Sequence, residues 1–165
     1  MSGQDLTIDT ARAALLLYVA ALVVILGRRD PGGGLGRALW TAGMVVYLAH
    51  VSAAFHYVHG WSHGAAVAET ARQTHALFGV DTGAGIWFNY VFTAVWAADA
   101  GWWWLDPGGY HRRRGQVSAA VHGFLAFMFF NGAVVFASGP SRWIGLAATA
   151  LLPLLWLWRR RATRS

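Results

Sequence analysis

Five of the seven histidines in this chain fall in one stretch: His50, His56, His59, His63 and His75. On a helix running unbroken through them, His56, His59 and His63 point within about 60° of one another. Imidazoles three and four residues apart can share a first-row transition ion. This spacing therefore offers three nitrogen donors for Zn, Cu or Fe, with Glu69 or His75 folding back as a further ligand. The same positions also suit a membrane interface, where each imidazole would instead bond a carbonyl, a headgroup or water. Haem fits less well, because bis-histidine ligation needs a facing histidine at matching depth and none lies opposite His56 or His59. His50 lies about 13 Å from His59 along the helix and off its face, so a separate polar contact is expected there.

Asp99 with His122 is the second constellation. Both lie inside apolar stretches, where an ionisable group costs at least ~2.5 kcal/mol and needs a partner. Asp99 sits six residues before the end of its segment and His122 about five after the start of the next, which matches their depths. Small residues Ser118, Ala119 and Ala126 share the His122 face and permit close approach. The expectation is an intramembrane polar pair that either fastens two helices or accepts protons. Asn89 and Asn131 are expected to be further buried polar groups toward the other membrane face, with Asn131 pointing away from His122, toward another helix or a second subunit.

These residues must be carried by membrane helices. Of 165 residues, 56% are hydrophobic and only 12% charged, far from the roughly 25% charged of soluble proteins. Five apolar segments approach the ~20 residues needed to span: 11–27, 36–59, 84–105, 117–138 and 142–158. The chain reads as one all-α membrane domain, a five-helix bundle, with Pro153 set to kink the last helix. Asp5 and Asp9 outweigh Arg12 before the first segment and no cleavage site follows it, so that helix is expected to be retained.

All thirteen basic residues are arginine. Arg28, Arg29, Arg37, Arg112, Arg113, Arg114, Arg159, Arg160, Arg161 and Arg164 fall on one side, and Arg12, Arg72 and Arg142 on the other. The positive-inside rule then places the amino terminus outside and the basic tail, 159–165, in the cytoplasm of a cell membrane. The net charge of +6 is thus a topogenic feature facing anionic lipids, and no nucleic-acid footprint. No cysteine is present, which excludes thiolate chemistry. Paired glycosidase acids, a phosphate-cradling glycine loop and a nucleophile elbow are absent too.

Three connections, 30–34, 106–109 and 138–141, read as tight turns. The outer loop 60–83 is longer. Good helix formers at 65–78, a Glu69/Arg72 pair and a terminating Gly79 predict a helix there, lying in the outer interface or prolonging the second span.

Over 56–63 the chain resembles one histidine box of the membrane di-iron desaturases and hydroxylases. Those enzymes carry several boxes on the cytoplasmic side, some with adjacent histidines. Here no His-His pair occurs and the cluster maps outside, so a di-iron oxygenase is not the expectation. Three function classes follow instead: first a metal- or cofactor-binding membrane protein using the outer histidines, next an accessory subunit of a larger membrane complex or homo-oligomer, and third an enzyme or proton-coupled carrier built on Asp99.

Overall fold

The computed structural model describes residues 2–27 and 34–162. Arg28, Arg29, Arg164 and most of the turn at 30–34 lie outside the described residues. The described residues are helical without a strand. The elements are α1 (Gly3–Gly27), α2 (Gly34–Ala53) continued by a π-helical turn (Ala54–Val58), α3 (His63–Phe78), α4 (Gly85–Leu105), α5 (Pro107–Arg112), α6 (Gly115–Phe130) continued by a second π-helical turn (Asn131–Val135), and α7 (Pro140–Ala162).

Three of them, Gly3–Gly27, Gly34–Val58 and Gly115–Val135, are long and apolar enough to cross a membrane. α4 and α7 have 21 and 23 residues, also of spanning length. Asp99 and Asn89 lower the average hydropathy of α4.

α1 begins eight residues before the apolar stretch does. Ser2 and Asp5 cap it reciprocally: Ser2 N donates to Asp5 Oδ2 at 2.8 Å and Asp5 N to Ser2 Oγ at 3.1 Å. Asp106-Pro107-Gly108-Gly109, expected as a plain turn, opens α5 instead. Asp106 accepts from Gly109 N at 2.8 Å, and Pro107, which lacks an N–H, fits the first helical turn.

The long helices close a ring in chain order. α1 packs on α2, α2 on α4, α4 on α6, the π-turn end of α6 on α7, and α7 on α1. Gly145 makes one of these seams possible, since a Cβ there would meet the Ala133 carbonyl oxygen at 2.7 Å. The core is aromatic: Tyr18, Trp40, Phe92, Trp96, Trp103 and Tyr110 are buried around Leu125. Phe129 stacks on Tyr18 at 3.8 Å and meets Trp96 edge-on at 5.3 Å. Each such pair contributes about 0.5–1.5 kcal/mol beyond its buried area. Among the described residues, α7 supplies none to this core.

Candidate functional site

At the α5 end of the ring the chain doubles back under its own acid. α4 ends at Leu105, α5 makes a short capped coil, and Arg113 follows in extended conformation before α6 begins. This detour returns Tyr110 and Arg113 to the level of Asp99. Asp99 Oδ1 pairs with Arg113 Nη1, and Asp99 Oδ2 accepts from the Tyr110 hydroxyl at 3.1 Å. The side chains of Asp99 and Arg113 are only 2% and 5% exposed.

Arg113 is engaged along its whole head. Nη2 donates to Tyr110 Oη at 3.2 Å and to His122 Nε2 at 3.0 Å, and Nε donates to Ser118 Oγ at 2.7 Å. Its guanidinium carbon also sits 4.0 Å over the Tyr110 ring, which itself stacks on Trp103 at 4.6 Å and 5°.

Guanidinium can only donate, so His122 Nε2 is the accepting nitrogen and the ring proton sits on Nδ1. The expected Asp99/His122 partnership is thus bridged: Arg113 stands between the two. Burial, with the negative charge of Asp99, pushes the Tyr110 phenol up from its ordinary range, so it remains a donor to the carboxylate. The centre is electrically closed, one carboxylate against one guanidinium, with both carboxylate oxygens committed.

Arg113 and Tyr110 are the members that the sequence reading missed. Arg113 lies in a three-arginine run that reads as topogenic charge, and Tyr110 in a Pro-Gly-Gly stretch that reads as a turn. The available signal was Asp99 itself, because a submerged acid requires a cation and this run is the nearest in depth.

Above the centre lies a second polar feature. Tyr18 Oη, Trp40 Nε1, Trp96 Nε1 and His122 Nδ1 are buried with no hydrogen-bond partner among the described residues. Their rings neighbour one another: Tyr18 and Trp40 at 5.6 Å, Trp40 and Trp96 at 5.6 Å, and Trp40 and His122 at 5.3 Å.

The outer histidines are arranged differently. A single face for His56, His59 and His63 needs an unbroken helix through Gly60. Instead the π turn changes the angular step at His56, and Gly60 and Trp61, with φ of 55° and 60°, turn the chain. His63 opens a new helix.

Each group then finds its own neighbour. Trp61 Nε1 donates to His56 Nδ1 at 3.2 Å, His59 lies edge-on to Phe55, and His63 Nδ1 bonds the Tyr90 hydroxyl at 2.8 Å. His75 Nδ1 pairs with Asp81 at 3.0 Å, and Glu69 pairs with Arg72 and accepts from Gln73 at 2.8 Å. Among the described residues no group of three or more His, Asp or Glu side chains could hold a metal ion.

His50 makes a separate contact, donating from Nδ1 to the Thr7 carbonyl of α1 at 2.9 Å. The two asparagines are not the buried groups expected: Asn89 is exposed near the start of α4, and Asn131, only half-buried, donates from Nδ2 to the Phe127 carbonyl of its own helix at 2.8 Å. No protein-family model matches the sequence, and no curated protein or solved structure is significantly similar to it.

Proposed function

We propose that the chain is a five-span protein of the cell membrane, with its amino terminus outside, its basic tail in the cytoplasm and α3 lying in the outer interface. Within that layout it acts as a structural or accessory subunit of a membrane assembly. The observation that carries this reading is the full commitment of Asp99: both oxygens are taken by Arg113 and Tyr110, so the carboxylate fastens α4, α5 and α6 to one another. A carboxylate poised to accept a proton would need an unshared oxygen and a polar path to one surface. The metal-handling reading would require the outer histidines to gather, and they are dispersed.

Three measurements test it. Tag accessibility in right-side-out and inverted vesicles reads the layout, with opposite sides expected for the two termini. In sealed proteoliposomes carrying a pH-sensitive dye, the wild type is expected to show the same proton flux as empty vesicles. A flux abolished by Asp99→Asn would overturn the structural assignment. The mass of the purified protein by light scattering with cross-linking is expected to exceed one chain.

A further inference from the structure

Five buried side-chain atoms have no hydrogen-bond partner among the described residues: Tyr18 Oη, Arg37 Nε, Trp40 Nε1, Trp96 Nε1 and His122 Nδ1. Every one of them carries a proton to donate, His122 included, because its Nε2 accepts from Arg113 and its own proton sits on Nδ1. Arg37 lies against Trp104, its guanidinium carbon 4.0 Å over that ring. The other four come one each from α1, α2, α4 and α6, and they form a single cluster. Trp40 touches all three partners, with its ring centroid 5.6 Å from Tyr18, 5.6 Å from Trp96 and 5.3 Å from His122. Tyr18 and Trp96 also meet edge-on at 6.0 Å.

This is the deepest part of the bundle. Tyr18 is 3% exposed, and Trp40 and Trp96 are 0% exposed. Gly43 lets the Trp96 ring lie against α2, where a Cβ would stand 3.0 Å from its Cζ2 atom, and Phe129 stacks on Tyr18 and fixes its ring. Phe at these positions would fill the space without bringing a polar atom. A buried donor left unpaired bears the full desolvation cost of its N–H or O–H group. Four helices that each send one donor to the same place therefore point to a shared acceptor.

Hydrogen-bond arithmetic selects the chemistry of that acceptor. A water molecule accepts two of the four protons but adds two of its own, so the excess of donors is unchanged. A halide ion accepts all four and donates none. The imidazole proton is the most strongly polarised of the set, because the other ring nitrogen accepts from a guanidinium. Rings in contact at these distances also restrict a guest at their N–H and O–H edges to about the size of one water, which suits a single-atom anion and excludes a carboxylate or phosphate.

We propose that Tyr18, Trp40, Trp96 and His122 form a chloride site at the centre of the bundle, the ion accepting one hydrogen bond from each of α1, α2, α4 and α6. The neighbouring Asp99/Arg113 pair is already closed on itself, so the ion is held by neutral donors and the polarised imidazole, without a salt bridge. This goes beyond a purely structural role, since an ion shared by four helices makes the closure of the bundle depend on a ligand. The site does not depend on which way the bundle sits in the membrane.

The test uses the full chain purified in detergent with sodium gluconate replacing chloride throughout, then titrated with sodium chloride at constant ionic strength. The midpoint of thermal unfolding is expected to rise with chloride and level off. The indole N–H resonances of Trp40 and Trp96, assigned from the spectra of Trp40→Phe and Trp96→Phe, are expected to shift over the same range. Sodium bromide should reproduce both changes and sodium sulfate neither. Tyr18→Phe, which removes one donor and keeps the ring, is expected to weaken the apparent chloride affinity about tenfold. Arg112→Gln/Arg114→Gln, which removes exposed charge, is expected to leave that affinity unchanged. A wild type whose midpoint and resonances both ignore chloride up to about 0.5 M overturns the proposal whether or not the variants fold, and this is the outcome if water is the occupant. An unchanged affinity in a folded Tyr18→Phe, or a tenfold loss in Arg112→Gln/Arg114→Gln, overturns it as well, because the ion then binds elsewhere.

Discussion

The polar groups around Asp99 and those around His56, His59 and His63 are satisfied in opposite ways. Around Asp99, groups from α4, the α5 detour and α6 converge on one guanidinium, and nearly every donor and acceptor is used. Around His56, His59 and His63, the groups are close in sequence but are satisfied by separate neighbours. Nearness along the chain therefore did not gather these side chains around one point. A site formed where burial left a charge that only a contact between elements could neutralise. His56 and His63 are exposed and His59 half-buried, so nothing forces convergence there.

The largest expected effect breaks the inner network. Arg113→Ala leaves Asp99 buried without its cation and is expected to cost about 3–5 kcal/mol, read as a lowered midpoint of unfolding in detergent. Asp99→Leu/Arg113→Leu removes both charges and should recover most of that loss; a double variant as unstable as the single one would show that the network does more than cancel charge. Tyr110→Phe is next, at about 1–3 kcal/mol, because one carboxylate oxygen loses its donor.

The Tyr110 phenol also gives a pH signature. Its pKa is raised on folding, by burial and by Asp99, so the folded chain holds that proton longer than the unfolded one. Stability from this group is complete below the ordinary phenol value near ~10 and falls as pH rises through the higher folded value. Denaturation at alkaline pH should be steeper in wild type than in Tyr110→Phe. Ser62→Ala, which removes the oxygen that accepts from Ala65 N at 3.2 Å and caps α3, should cost about 1 kcal/mol. The smallest effect is expected from His56→Ala/His59→Ala/His63→Ala, a shift in Tm of about 2 °C or less, with elemental analysis finding no stoichiometric metal in either protein. A metal ion present in wild type and lost in this variant would erase the contrast between the two regions.

How far the sequence reading reached follows the range of the forces involved. Apolar segments are a local property, and the five long helices fall within a few residues of them at most ends. α1 is the exception, since its first turns are held by the Ser2/Asp5 cap and not by hydropathy. The helix at 65–78 and its stop at Gly79 were legible because helix formers and a left-handed glycine act locally. Asp99 and His122 were marked out by cost and depth. Arg113 was not, because an arginine in a basic run gives no local sign that it turns inward. The π turns left no pattern to read, and without them the angular arithmetic for His56, His59 and His63 had no reason to fail.

One feature of the ring bears on how the protein is made. Its closing seam joins the first helix synthesised to the last, through Arg12 and Ser141 at one level and, further along, through apolar residues such as Val19 and Val23 of α1 and Ile144 and Ala148 of α7. Until translation reaches α7, the matching flank of α1 stays turned to lipid while α2, α4 and α6 assemble the aromatic core beside it. A nascent chain halted after α6 would thus own its ionic centre and its packed rings yet present an unfinished wall. Ribosome stalling at that point would give a species distinguishable from the finished protein by its exposed α1 flank.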